Sequence, residues 1–438
     1  MMEIPVSAPL DVVVVGAGFA GLAAAQALEA AGCRTALIEA LDRPGGRAET
    51  VTGADGAPWD AGAQFINGDM RRVLGLARRF GLGLVAAPVG GRSALHAPGA
   101  GAGQVRLALA EAEAFEAAVI AAAGRVDDSA SLADLVAAER LSPLGRAVIR
   151  SAIAELCCAA PEDVSAAWAA EGDARYGSDR DDVEFFLREG FGGLATALAA
   201  SLRSAPRLGT PVLGLGEERG CVAVHTPRGT LTAASVILAV PMARAARLAP
   251  PTLPAPARAA LAGFREGAVI KMALRYAEPF WRYGGFSGNL RSVALPGLWF
   301  GDTSAGDGGT LTALAGGPLA RDLAALAPAV RLARVSAAVA EGFGIAPPPL
   351  MSHDERLWLD HPTLGGGYSG HRVAGAASGA EAALTRLDGP IAFAGTDLAA
   401  DFPGFVEGAL ASGEAAAARV LARLGGAEPV RTRALVAA

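Results

Sequence analysis

Lysine is all but missing from this chain: of 438 residues only Lys271 carries an ε-ammonium, and arginine supplies every other basic side chain. Cysteine is scarce too. Cys33, Cys157, Cys158 and Cys221 have no metal-ligand spacing and the adjacent Cys157 and Cys158 are not expected to bond to each other, so reduced thiols of a cytoplasmic protein are expected. The net charge is only −6, with an isoelectric point near 5.5, which gives no electrostatic ground for nucleic acid or an anionic membrane as partner. At the N-terminus Glu3 stands where a secretory signal would carry basic residues, so no signal is expected. Only Val12–Leu28 approaches the length of a membrane span, and the glycines inside it mark strand plus helix instead. His96, His225, His353, His361 and His371 are scattered without ligand spacing, so no metal is expected. No GxSxG elbow occurs, and a hydrolase is unsupported.

What the chain does have is glycine and alanine, in a length sufficient for two domains. The organising stretch is Asp11–Arg47. Val12–Val15 are uniformly apolar and β-branched, as a central parallel strand buried on both faces requires, and Gly16-Ala17-Gly18-Phe19-Ala20-Gly21 then turns into an alanine-rich helix. Gly16 and Gly18 let the backbone bend and approach a pyrophosphate, Gly21 lets helix pack on strand, and free N–H groups at the helix start face the phosphate charge. Arg34–Ile38 reads as a second strand ending in Glu39, whose carboxylate can accept from both ribose hydroxyls. An adenine dinucleotide fits this pattern, with NAD and FAD both open. Arg43-Pro44-Gly45-Gly46-Arg47 then resembles the second half of the extended fingerprint of FAD-dependent oxidases, where an arginine after paired glycines reaches the diphosphate. That resemblance favours FAD.

Beyond Arg47, the run Pro58–Ile66 offers small and apolar residues able to line a flavin. Helices are expected over Met70–Phe80, Leu107–Ala123, Ser131–Glu139 and Pro143–Leu156, a helical insertion broken by Gly and Asp-Asp-Ser. A helix opened by Gly190 runs to Leu202, and Thr210–Leu215, Cys221–Thr226 and Ser235–Val240 read as strands. After a proline-rich link, Val269–Tyr276, Trp299-Phe300 and Thr310–Ala315 read as strands, and Ala320–Phe343 as one or two helices, Pro328 starting the second. Pro390–Ala394 is a short strand, Gly395-Thr396-Asp397 a turn, and Pro403–Leu424 a helix.

Laid out in this order, the segments DAGAQFI, GFGGLATALAASL, SVILAVPM, KMALRYAEPFW, WLDHPTLGGGYS and AGTDLAADFPGFVEGALASGEAAA make the chain resemble the flavin monoamine oxidase family, which includes polyamine and L-amino-acid oxidases. The resemblance implies an α/β fold: a Rossmann-type FAD-binding domain over 1–75, 186–248 and 386–438, and a discontinuous α+β substrate domain inserted twice, over 76–185 and 249–385. By position in the family's motifs, Gly16, Ala17, Gly18, Gly21, Glu39, Gly46 and Arg47 serve the ADP moiety, and the backbone of Val212 contacts adenine. Gly62, Ala63, Gln64 and Phe65 lie beside the flavin, with Trp358, Asp397 and Val406 near its ring and ribityl chain. Lys271 matches the lysine that holds a water near flavin N5, and Tyr368 and Phe405 the two aromatic rings flanking the substrate amine.

Four residues depart from the family pattern. Leu41 stands where Glu-Ala-Arg would place a guanidinium on the ADP moiety, Asp397 replaces the usual Glu, and Phe405 replaces Tyr and so lacks its hydroxyl. Gly367 precedes Tyr368 where covalently flavinylated members have Cys, so non-covalent FAD is implied.

The expected reaction is oxidation of an amine to an imine by hydride transfer to N5, with oxygen reduced to hydrogen peroxide. Dry aromatic walls assist it by disfavouring the ammonium form. The competing readings are that Tyr368 and Phe405 are ordinary core aromatics, that Lys271 is a surface lysine and that the C-terminal helix merely packs on the sheet. The Ala/Gly-rich insertion offers few charged groups for a second substrate contact, which favours a mono-amine over a polyamine. An L-amino-acid oxidase would need an arginine aimed at the carboxylate, for which Arg71, Arg72 and Arg92 are the candidates. A flavin-dependent desaturase or dehydrogenase, or a flavin-binding protein without turnover, would keep the same cofactor site. A monomer or homodimer is expected.

Overall fold

Val12–Val15 are the buried end of the strand Leu10–Val15, which pairs in parallel with Thr35–Ile38 on one side and with Gly229–Leu238 on the other. The computed structural model describes residues 10–426 other than 89, 182, 219, 377 and 378; Glu3 and the outer ends of the 1–75 and 386–438 stretches lie outside the described residues. The long strand Gly229–Leu238 changes partners along its length. Its first half pairs antiparallel with Cys221–Thr226, and its second half runs parallel to Leu10–Val15 and to Ile391–Phe393. Gly214–Glu218 closes the sheet. The expected strand Thr210–Leu215 is therefore shifted: pairing begins only at Gly214.

One face of this sheet is covered by the first helix, Phe19–Ala30, and by the last, Val406–Gly426, in a single apolar cluster. The two helices approach very closely, since a Cβ on Gly413 would overlap the Ala20 carbonyl. This is what the Gly/Ala composition provides. The opposite face buries Ala257, Ala260, Leu261, Ala380 and Leu384, so helices Ala255–Ala262 and Ala380–Thr385, near the two ends of the 249–385 stretch, pack on this first sheet.

A second six-stranded sheet has the order Ser352–Leu357, Val269–Tyr276, Gly309–Gly316, Leu298–Asp302, Phe286–Ser292 and Arg92–His96. Its last pair is parallel and brings a strand from the first insertion beside one from the second. Alternation along Val269–Tyr276 divides its side chains. Ile270, Met272, Leu274 and Tyr276 join the cluster formed with helices Pro318–Ala324 and Pro328–Phe343, while Val269 and Ala273 face the other way, toward Trp358 and Trp59. Lys271 shares that second face. Helix Pro143–Leu156 starts with Ser142 accepting from the Gly145 N–H and with proline in its first turn, and it carries Glu155 at its far end. No helix among the described residues is long and apolar enough to cross a membrane.

Candidate flavin and substrate site

The C-terminal ends of Leu10–Val15 and Gly229–Leu238 open into a cavity of about 480 Å³. Gly16 has φ +102°, a conformation glycine adopts without strain, and a Cβ on Gly21 would overlap the Gly16 carbonyl. Both glycines are required by the turn itself. Gly18 differs: a Cβ there would meet nothing closer than the Gly45 carbonyl at 4.0 Å, and the residue lines the cavity. The helix behind it has no side-chain cap, so its first N–H groups lack intrahelical acceptors where Gly18, Phe19 and Ala20 border the cavity. The donor set and the vacated Cβ position together fit a dinucleotide diphosphate.

Glu39 ends its strand buried at the cavity wall, where it accepts from the Ala17 N–H at 2.6 Å and the Leu41 N–H at 2.9 Å. Burial pushes its carboxyl above the ordinary value, against those two bonds, which favour the charged form. Gly46, Arg47, Ala63 and Val212 also line the cavity, as do Asp397 and Val406. Arg47 donates to the Tyr368 carbonyl at 3.0 Å and lies 4.0 Å from Asp397. The last helix begins at Val406, three residues later than expected, and still presents its N-terminus to the cavity. Thr396 holds the residue before it by donating to the Phe405 carbonyl at 2.9 Å.

Gly62, Gln64, Phe65, Trp358 and Lys271 do not touch the cavity but form the layer behind Ala63. The Trp358 indole donates to the Ala61 carbonyl at 2.7 Å, Thr312 to Gln64 Oε1 at 3.4 Å, and Phe65 meets Trp299 edge to face at 6.0 Å. Lys271 is 3% exposed, so it is not a surface lysine, and its Nζ donates to the Gly62 carbonyl at 2.9 Å and lies 5.8 Å from the Phe65 ring centroid. Burial lowers its pKa, partly offset by the carboxylate of Asp60. Burial raises Asp60 in turn, offset by Lys271 and by bonds from the Thr50 hydroxyl at 2.6 Å and the Phe191 N–H at 3.0 Å. Each charge makes the other tolerable in a dry layer.

Tyr368 and Phe405 both line the cavity, but they are braced from different sides. Phe405 packs on Tyr176 with ring centroids 5.4 Å apart. The Tyr368 hydroxyl lies 3.0 Å from both the carbonyl and Oε1 of Glu155, and its pKa is raised well above the ordinary value by burial and then by that carboxylate. Glu155 is itself held by Arg291 at 3.4 Å. Glu155→Ala is expected to cost about 3 kcal/mol, because it leaves the largely buried Arg291 without its carboxylate. Glu155→Gln, which keeps an acceptor for the hydroxyl, should cost less than half of that. Chemical unfolding curves of the two variants check the order.

Sequence reading alone did not find Glu155 or Asp60, nor Arg244 and Arg247, which border the cavity from helix Met242–Leu248. For the arginines there was a signal, since their spacing of three puts them on one helix face. Of the departures, Leu41 packs in the apolar cluster of Trp358 and Leu364, and a Cβ on Gly367 would press on Trp358 at 3.2 Å. Arg71, Arg72 and Arg92 do not line the cavity; Arg72 is paired with Glu414 at 3.0 Å and Arg92 lies over Phe286 at 4.1 Å.

A model of the family described as flavin containing amine oxidoreductase matches residues 19–421. The chain belongs to that family. Its members are flavin-containing oxidoreductases acting on amines. AofH of Mycobacterium tuberculosis, provisionally named a flavin-containing monoamine oxidase, is 29% identical over 448 residues, covering 95% of this chain and 97% of its own. An L-amino acid dehydrogenase of Synechocystis is 25% identical over 452 residues, 95% of this chain and 96% of its own. The structure of putrescine oxidase bound to putrescine aligns with a TM-score of 0.83 at 25% identity, over 95% of this chain and 100% of the other. The mixed α/β architecture described above is thus the family's fold.

Proposed function

We infer that this chain is an FAD-dependent oxidase that converts a mono-amine to its imine and passes the electrons to oxygen as hydrogen peroxide. The observation that carries the reading is one continuous cavity that runs from the glycine turn and Glu39 to the walls Tyr368 and Phe405, backed by a buried lysine. A bound flavin supplies the chemistry, accepting a hydride from the carbon that bears the nitrogen and later reducing dioxygen. The protein's part is to hold, dry and orient. Gly18, Gly46 and the first N–H groups of helix Phe19–Ala30 would hold the diphosphate, Glu39 the ribose and Val212 the adenine end, all of them at the cavity. Asp397 and the start of the last helix, which line the cavity, would attend the flavin half of the cofactor, the helix adding a positive dipole end. Tyr368 and Phe405 keep water from the substrate nitrogen, which favours its neutral form and frees the lone pair. Lys271, with N–H donors beyond its bond to the Gly62 carbonyl, would hold a water for the flavin from the layer behind Ala63. Glycine at 367 offers no thiol, so the cofactor is held without a covalent bond.

Glu155 is a buried acid behind the Tyr368 wall, but Arg291 and Tyr368 already engage it, which supports a mono-amine over a diamine. Oxidation of an L-amino acid is a second reading favoured by one observation: among the described residues Nη1 of Arg291 is buried without a hydrogen-bond partner, one residue removed from Tyr368 through Glu155. The Synechocystis relative points the same way. A panel of alkyl and aryl mono-amines, diamines and L-amino acids, assayed for peroxide with FAD-loaded protein, decides between them. Peroxide with mono-amines supports the first reading and peroxide with L-amino acids alone the second. Flavin bleaching without peroxide indicates a dehydrogenase or desaturase, and no reduction by any donor overturns all of these.

A further inference from the structure

Resting on the reading of the cavity as the seat of FAD, we propose that Arg247 adds to Arg47 a second positive charge that holds the ADP half of the cofactor. The argument is one of charge. A dinucleotide diphosphate brings two negative charges into the cavity, and a helix N-terminus offers only about half an elementary charge against them. A side-chain cation strengthens that hold.

Three arginines line the cavity, and two of them also hold protein groups. Arg47 donates to the Tyr368 carbonyl and lies 4.0 Å from Asp397. Arg244 lies 3.1 Å from Glu266 and donates to the His361 carbonyl at 3.2 Å. Nor does the Glu39 side supply a cation, because Leu41 is packed in an apolar cluster and Arg43 is paired with Glu49 at 3.2 Å. Arg247 is different. It is exposed at the edge of the cavity, and it makes no hydrogen bond or ion pair with any described residue.

Its place in the fold says which part of the cofactor it meets. Helix Met242–Leu248 follows the strand that pairs with Leu10–Val15 beside the glycine turn. Leu248, the next residue, packs on the same apolar cluster as Val212 and Ile38, the residue before Glu39. Arg247 therefore stands at the nucleotide end of the cavity, away from Tyr368, Phe405 and the layer of Lys271. Its guanidinium can make two parallel hydrogen bonds to phosphate oxygens, and it spends none on the protein.

The test is equilibrium binding of FAD, ADP and riboflavin to the apoprotein, followed by fluorescence for the flavins and by competition for ADP. Arg247→Ala is expected to weaken FAD and ADP about tenfold each, the loss of one partly exposed charge-assisted bond, and Arg247→Glu more than that. Riboflavin, which has no phosphate, should bind all three proteins equally. FAD binding should also lose part of its salt dependence in Arg247→Ala. Because the side chain is exposed, both variants should unfold at the wild-type temperature in their apo forms. Unchanged FAD affinity in Arg247→Glu, or an equal loss for riboflavin, overturns the proposal alone. Wild-type protein that takes up no FAD overturns the cofactor reading together with it.

Discussion

Lys271→Met is expected to keep its flavin and lose about a hundredfold in turnover, the scale of effect of one positioned proton-handling group. Methionine has similar length and no charge, so packing on the strand Val269–Tyr276 is preserved while the bond to the Gly62 carbonyl disappears. The cavity wall of Gly18, Glu39 and Arg47 lies in the other sheet's layer and is untouched, so the absorbance of bound flavin should remain. Anaerobic reduction by amine and reoxidation by oxygen, followed separately, would show which step the lysine serves; wild-type rates in both would remove Lys271 from the site. The same variant has a signature in stability. Burial lowers the lysine's pKa in the folded state, so between that depressed value and the ordinary 10.5 the unfolded chain binds a proton that the folded chain lacks. Stability then rises with pH across that window, by up to about 1.4 kcal/mol per pH unit, and the advantage of wild type over Lys271→Met should grow accordingly. Unfolding curves of both proteins at about pH 8 and about pH 10 give a difference to which, among the titrating groups, Lys271 and its partner Asp60 contribute.

Much of this arrangement is legible in the sequence, for reasons that differ from element to element. Val269–Tyr276 is readable to the residue because its apolar residues alternate with Lys271 and Arg275. Pro143–Leu156 is equally plain, with its serine cap and first-turn proline. The last helix is misplaced at its start because Pro403 looks like a first-turn proline, whereas Phe402 at φ +52° and Gly404 at φ +88° put left-handed residues on both sides of it and delay the helix to Val406. Thr210–Val212 has strand composition but borders the cavity instead of pairing. Helix Ala166–Ala174 escapes notice because AAWAAEGDA has almost no amphipathic pattern; only the Ser165 cap announces it. In the site, the glycine turn and its acid are local in sequence and can be read directly. The Lys271–Asp60 and Tyr368–Glu155 relations join residues more than two hundred positions apart, and depend on how the second sheet and helix Pro143–Leu156 dock on the first domain.

Gly18→Val should yield a folded protein that binds FAD at least a hundredfold more weakly than wild type. The three glycines of the turn look alike in sequence, yet they serve different ends. Gly16 sits at φ +102°, where a valine is strained, and a side chain on Gly21 would collide with the Gly16 carbonyl, so substitutions at either are expected to cost a few kcal/mol of folding stability. Gly18 has φ −69° and ψ 175°, extended backbone that valine adopts readily, and no described atom within 3.9 Å of where its Cβ would stand. The fold therefore has room for a Cβ at 18. What the valine would fill is the space in front of the uncapped helix N-terminus, where diphosphate oxygens must approach the backbone N–H groups. Thermal unfolding of the apoprotein should be unchanged for Gly18→Val and lowered for Gly21→Val, while flavin titration fails for both. If Gly18→Val takes up FAD with wild-type affinity, the diphosphate is not cradled at this turn.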